Sequence, residues 1–317
     1  MKILMVGPGL MPIPSNGWGA VETVVWNQKL NLEKLGHTVT ILNERGLVEA
    51  IKAMPWKYDY VHLHYDEYAG MWNRLSKIFN FKLIVTTHYG YSAYPERWDI
   101  SYKKVFKNLI KSKALLVLSN EIKMIFQQKG FKNWIEVLPN GVDNDLMKYN
   151  PSGNNRAICL GKIEKRKMQA KLSTLLSSSS IKCDFVGPIV DDKFKVDNVN
   201  TFYLGEWNRD DVFNKLPNYS TLILASEGEA HALVILEALS CGLSVVVTEE
   251  ASANLDRNLP WVYICNFNDN TFLESIEKAL KYNFQYRDTI RKYAIENFNW
   301  LTICKRYEGL ITKYLRG

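Results

Sequence analysis

No apolar run in the 317 residues approaches the roughly 18 needed to cross a bilayer as a helix. Cysteine is sparse: Cys159, Cys183, Cys241, Cys265 and Cys304 are scattered, odd in number and without metal-ligand spacing. That excludes a disulfide framework and a zinc site, and leaves reduced thiols inside a cytoplasmic protein. No repeat of 20–50 residues occurs, which excludes solenoids and propellers. The opening MKILMVGPG carries one lysine, and its apolar run breaks at Gly7-Pro8-Gly9. It reads as a first buried strand and not as a targeting segment. No recognised nucleic-acid module accompanies the basic residues, so no nucleic-acid partner is expected. What is abundant is apolar: 47% of residues are hydrophobic and 12% aromatic, enough for sizeable cores. The net charge of +7 is uneven. Residues 1–150 hold 19 Lys/Arg against 13 Asp/Glu, and the remainder 21 against 20, which points to an anionic partner for the first half or to nothing more than solubility.

Strand-like runs alternate with helical patterns almost throughout, the mark of βαβ units and parallel sheets. KILMV (2–6), HTVTIL (37–42), YDYVHLH (58–64), KLIVTTH (82–88), ALLVLSN (114–120) and WIEVLPN (134–140) form one series. A helix from about Ala20 to Leu35 ends at Gly36, a suitable helix-terminating glycine. The pattern lapses over DNDLMKYNPSGNNR (143–156) and restarts with AICLGK, IKCDFVG, NTFYLG, STLILAS and SVVVTE. The expected fold is α/β: two doubly wound Rossmann-like domains, 1–148 and 149–300, with a ligand cleft facing the carboxyl ends of both sheets.

Within SEGEAHALVILEALSCGLSVVVTEE (226–250), an apolar run from Ala232 to Leu239 carries one carboxylate, Glu237, and Glu229 stands at its mouth. A buried helix starting near Ala232 and stopping at Gly242 leaves its first amides, at Ala232 and Leu233, free to bind a phosphate. Glu237 would lie roughly 7 Å up the axis, leaning back toward the N-terminus. That is about the distance from a diphosphate to a ribose, whose paired hydroxyls a carboxylate accepts well. Glu229 would flank the phosphates on the other side. The competing reading is a structural Glu237 paired with a Lys or Arg.

Glu229-x7-Glu237 in this context resembles the hallmark of the retaining GT-B glycosyltransferases of family 4. Ser15-Asn16-Gly17-Trp18-Gly19-Ala20-Val21-Glu22 is similar to that family's Gly-rich loop after the first strand. KLGHTVTIL (34–42), TTHYG (86–90), VLPNGVD (137–143) and LGKIEKRK (160–167) match further segments in order. Departures occur: Ala230-His231-Ala232 replaces Gly-Phe-Gly, Lys162 stands for an arginine, Met168 for a glycine and Ser244 for a proline. The resemblance implies a sugar transferred, with retention, from a UDP- or GDP-sugar to a glycan or lipid-linked acceptor. It further implies that Lys162 and Lys167 hold the diphosphate in place of a metal, so that neither metal nor cofactor is needed, and that Glu229 positions the sugar's hydroxyls. Retention without a protein nucleophile fits a front-face mechanism assisted by the leaving phosphate. His88 would contact the sugar, and a final helix (301–317) would return to the first domain.

Around these stand further candidates. Gly17 and Gly19 permit close backbone approach to the donor, with Trp18 beside them; His231 sits by the phosphates and Gly205 near the base. Gly7-x-Gly9 is not a dinucleotide fingerprint, because Pro12 takes the third glycine's place and the loop is too long. Tyr89, Tyr91, Tyr94 and Trp98 offer rings for an acceptor sugar. Lys103, Lys104, Lys107 and Lys111, interleaved with Phe106, Leu109 and Ile110, suggest peripheral contact with an anionic membrane. Two alternatives stay open: a nucleotide-sugar 2-epimerase of the same fold, and a non-catalytic sugar-nucleotide binder.

Overall fold

The computed structural model describes residues 1–268 and 271–316, which group into two compact units. The first comprises residues 1–15, 19–140 and 300–317, the second residues 16–18 and 141–299. The division falls at Asn140–Gly141 and not after 148, because residues 141–148 pack with the second unit. Val142 N donates to Phe298 O at 2.7 Å, and Arg291 Nη1 donates to Met147 O at 3.2 Å.

The first unit runs β1 (Lys2–Val6), α1 (Ala20–Lys34), β2 (Thr38–Leu42), α2 (Leu47–Lys52), β3 (Tyr60–Leu63), α3 (Ala69–Ile78), β4 (Leu83–Thr86), α4 (Ile100–Leu109), β5 (Ala114–Val117), α5 (Asn120–Gln128) and β6 (Trp134–Val137). Its sheet is parallel, in the order β2-β1-β3-β4-β5-β6. The central strands β3, β4 and β5 are buried at every position. Helices therefore cover both faces, and the strands are largely apolar, with His62 on β3 and Thr86 on β4 as buried polar exceptions.

The second unit has β7 (Ala157–Leu160), α6 (Gln169–Ser177), β8 (Cys183–Val186), β9 (Thr201–Tyr203), α7 (Arg209–Lys215), β10 (Thr221–Leu224), α8 (Leu233–Ser240), β11 (Ser244–Val247), β12 (Val262–Ile264) and α9 (Thr271–Phe298). Its sheet, also parallel, runs β12-β11-β10-β7-β8-β9. The chain reverses its direction of winding between β7 and β10, which in such sheets opens a ligand crevice beyond the strands' carboxyl ends. Two hydrophobic clusters, around Leu222 and Leu239 and around Phe185 and Phe272, fill the two faces.

β12 and α9 were not legible in the sequence. β12 has only three residues. The buried stripe of α9 passes through Asn283 and Arg287, which breaks the apolar periodicity. Arg287 is nevertheless 1% exposed. Its guanidinium donates to the carbonyls of Tyr219, Asn150 and Pro217 and to Asn283 Oδ1. A buried charge is tolerated where each donor finds an acceptor.

The last helix, α10 (Trp300–Arg316), belongs to the first unit. Its buried face carries Ile303, Cys304, Tyr307 and Ile311. Arg306 donates to Val137 O, and Tyr314 stacks near Trp134.

Candidate active site

The loop after β10 and the loop after β7 meet at the winding reversal, and Arg166 ties them together. Its backbone carbonyl accepts from Glu227 N at 2.9 Å. Its Nη1 donates to Glu229 Oε1 at 2.9 Å, to Ser226 Oγ at 3.3 Å and to Gly228 O. Its Nη2 donates to Glu164 Oε1 at 2.8 Å. In the sequence Arg166 is one basic residue among several in KIEKRK (162–167), and nothing local sets it apart. The planar fork distinguishes it: a lysine cannot bridge two carboxylates and two further oxygens at fixed angles.

Glu237 has an arginine too. It lies on α8, 6% exposed, and its Oε1 accepts from Arg209 Nη1 at 2.6 Å. Arg209 opens α7, whose start is fixed by a reciprocal Asn208–Asp211 capping box. The competing reading, a Glu237 paired with a basic residue, is thus partly realised. Yet each acid spends only one oxygen on its arginine. Oε2 of Glu229 and of Glu237 is unengaged among the described residues and is not sealed from solvent.

α8 spans Leu233–Ser240, with Ala232 at its N-terminal boundary and no side chain capping its first amides. A helix start left uncapped in this way presents donors and the positive dipole end to a ligand. His231, just before it, is buried against Phe298, and burial pushes its pKa down to about 4.

Lys162 is 3.6 Å from Glu164 Oε2, and its Nζ lies 5.9 Å from the ring centre of Trp18, in a segment that groups with the second unit. Lys167 has no acidic partner among the described residues, and its Nζ would lie 3.0 Å from a Cβ placed on Gly161. Met168 adopts φ 51°, which explains why a glycine is usual there. Gly17 lies near Trp207 O, Gly19 precedes α1, and Gly205 O accepts from Gly187 N. An Asp-x-Asp triplet does occur, at Asp143–Asp145. Asp143 Oδ1 there accepts from the amides of Asp145 and Leu146, which closes a turn.

In the first unit, His88 follows β4, and burial pushes its pKa down to about 4. Its amide donates to Asp66 Oδ1 at 3.3 Å. Asp66 also accepts from the hydroxyls of Thr87 and Tyr102, and burial raises its pKa to about 6. Asp66, His62 and His64 were not anticipated as site residues. Their signal was HLHYD (62–66), polar residues at alternate positions of a buried strand and its extension.

Tyr89, Tyr91 and Tyr94 are half-buried, and Tyr89 stacks on Tyr102. Trp98 is no acceptor platform. It is 6% exposed, packs on Tyr102 and Phe106, and donates Nε1–H to Tyr91 O. On α4 and the turn after it, Lys103, Lys104, Lys107 and Lys111 are exposed, but Phe106 and Leu109 are spent in the core. The apolar surface left beside these lysines is Ile100, which is 74% exposed, and the half-buried Ile110. No helix among the described residues is long and apolar enough to cross a membrane.

Two family models match in tandem: Glycosyltransferase Family 4 over residues 41–146 and Glycosyl transferases group 1 over residues 143–297. The chain belongs to the family 4, group 1 glycosyltransferases of the GT-B fold, and is a glycosyltransferase. No curated protein matches the sequence. Among solved structures it is similar to sucrose-phosphate synthase from Thermosynechococcus elongatus, at 13% identity and TM-score 0.81, with 99% of each chain covered. Anabaena HepE in complex with UDP-glucose superposes with TM-score 0.76 at 14% identity, covering 99% of this chain and 100% of that one. A glycosyltransferase from Rickettsia africae gives TM-score 0.73 at 20% identity, covering 99% and 98%.

Proposed function

We propose that the protein moves a sugar from a UDP- or GDP-sugar to a glycan or lipid-linked acceptor, retaining the anomeric configuration and without a metal. The observation that carries this reading is the pair of arginine-held carboxylates, Glu229 and Glu237, each with its second oxygen open beside the uncapped start of α8. The diphosphate sits at the amides of Ala232 and Leu233. Lys167 and Lys162 neutralise the charge that grows on it as the glycosidic bond breaks. Glu237 Oε2 accepts from the ribose hydroxyls, and Glu229 Oε2 from those of the sugar. The bound UDP and UDP-glucose of the HepE structures support a nucleotide donor. His88 contacts the sugar, and Tyr89, Tyr91 and Tyr94 serve the acceptor. Retention follows if the departing phosphate assists the incoming hydroxyl on the same face. The exposed lysines around α4 draw the protein to anionic membrane surfaces.

Incubating the protein with UDP- and GDP-sugars in EDTA, without acceptor, tests the reading. Slow release of free sugar and nucleoside diphosphate is the expected result. An epimeric nucleotide-sugar, or saturable binding with no turnover even after acceptors are supplied, would refute it.

A further inference from the structure

All strands of the first unit run parallel, so its helix-to-strand connections gather at the amino ends of the strands and its strand-to-helix connections at the carboxyl ends. The two ends differ in sign. Residues 53–59, 79–82, 110–113 and 129–133 lead into β3, β4, β5 and β6. They carry Lys57, Lys82, Lys111, Lys113, Lys129 and Lys132 against one acid, Asp59. At the carboxyl ends, residues 43–46, 64–68, 87–99 and 118–119 carry five Asp or Glu against two Arg. The positive surplus of residues 1–150 is thus weighted toward the end opposite His88, and ligands in such sheets bind at the His88 end.

The six lysines are exposed, and none has an acidic partner among the described residues. Lys82 Nζ donates to Leu315 O at 2.9 Å, which sets the last turn of α10, with Lys313 and Arg316, at the same end. The one acid, Asp59, accepts from the Lys2 amide at 2.7 Å. Apolar groups stand outward among the lysines. Trp56 is 40% exposed and stacks on Phe79 at 4.7 Å, and Ile78, closing α3, is 72% exposed. A lysine near a helix C-terminus also complements the helix dipole. That accounts for the sign of the charge and not for the exposed tryptophan and isoleucine beside it. An interface of anionic lipid takes up both: headgroups attract the ammonium groups, and an indole lies at headgroup level. A nucleic acid would use the charge and leave the apolar groups idle.

We infer that the amino ends of the first unit's strands form a docking face for a bilayer containing anionic lipid. The entries to β3, β4, β5 and β6 are neighbours, strands in a sheet being about 4.8 Å apart, so one flat surface meets them all. Lys103, Lys104 and Lys107 lie within α4 and are not part of this face. Docking by it turns the carboxyl ends, with His88, away from the lipid. The bearing on the acceptor rests on the proposed function: this orientation suits an extended glycan better than a short lipid headgroup.

Co-sedimentation of the full chain with vesicles of equal parts phosphatidylglycerol and phosphatidylcholine, in about 0.1 M salt, tests the inference. The native protein should sediment with these vesicles and not with phosphatidylcholine alone. Lys57→Gln, Lys113→Gln, Lys129→Gln and Lys132→Gln combined should weaken partition about a hundredfold or more, each lysine counting for about fivefold. Trp56→Ala should weaken it severalfold. Should the quadruple variant fail to fold, as judged by its melting curve, Lys129→Gln with Lys132→Gln carries the test, about twenty-fivefold weaker. A native protein that stays in solution, or a folded variant that sediments as the native does, overturns the inference. So does Trp56→Ala without effect while the native protein binds double-stranded DNA as tightly as vesicles. If glutamine at Lys103, Lys104 and Lys107 does the greater damage, α4 is the contact and this face is not. Sugar release from UDP- and GDP-sugars should be equal in the native protein and the quadruple variant. Its absence from both, with docking intact, removes the proposed reaction and leaves the face standing.

Discussion

Arg166 Nη1 lies 2.9 Å from Glu229 Oε1, and the same guanidinium holds Ser226, Gly228 and Glu164. The acid that would position the sugar is thus braced by the basic loop of the adjoining strand. Arg166→Ala should lower kcat tenfold to a hundredfold, the loss of about 1.5–3 kcal/mol of charge-assisted bonding. Arg166→Lys should recover only part of it, because a single ammonium cannot reproduce the fork. Steady-state kinetics of both variants check this, and a fully active Arg166→Lys would refute the bracing role.

The two carboxylates should separate in their effects. Glu237→Ala removes the acceptor for the ribose and leaves Arg209 unpaired, so nucleotide affinity should fall about tenfold with kcat little changed. Glu229→Ala should instead cut kcat a hundredfold or more and change affinity little. Calorimetric titration with UDP and GDP, alongside turnover, reads both. Equal and negligible effects would dismiss the assignment.

Acidification should destabilise the fold between pH 6.5 and about 4. Burial pushes His88 and His231 down to about 4 and His62 to about 3. In that window the unfolded chain takes up protons that the native state refuses. Stability therefore falls with pH, by about 1.4 kcal/mol per unit for each histidine. Asp66 acts in the opposite sense: raised to about 6, it keeps a proton in the native state that the unfolded chain releases down to about its ordinary carboxyl value. His64 is pushed down by burial as well, and Glu22 is raised by it as Asp66 is. Four histidines against two carboxyls leave a net loss of about 3–5 kcal/mol at pH 5.5 relative to 7.5. Urea unfolding at the two values measures it, and a midpoint unchanged or higher at pH 5.5 would contradict it.

Gly187→Ala should cost at least about 3 kcal/mol. A Cβ there would stand 2.3 Å from Gly161 O, and φ is +135°. Gly161 leads into Lys162, so the variant should also weaken nucleotide binding even in the fraction that folds. A melting temperature equal to the native one would show that the backbones part freely.

Much of this was legible in advance because it is local. The apolar runs that became β1, β3, β4 and β10 are buried on both faces, and burial on both faces is written into the residue types themselves. Gly36 takes φ +83° where the sequence placed the end of α1. The place of Glu237 one turn up α8 followed from helical rise, and that of Glu229 from its loop just before the helix. α9 escaped because Asn283 and Arg287 occupy buried positions that are satisfied by each other, by the Ser244 hydroxyl and by carbonyls 41 to 137 residues away.

The amino-acid order determined the strands, the helix that begins at Leu233 and the acids around it, since these depend on propensity, periodicity and spacing within a few residues. Folding in three dimensions decided which partners those acids have. Arg166 and Arg209 meet Glu229 and Glu237 across 63 and 28 residues of chain, and Tyr307 reaches His62 across 245. Hydrogen bonds and charge pairs of that reach depend on atoms brought within about 3 Å by the packing of whole sheets and helices, which no local pattern encodes.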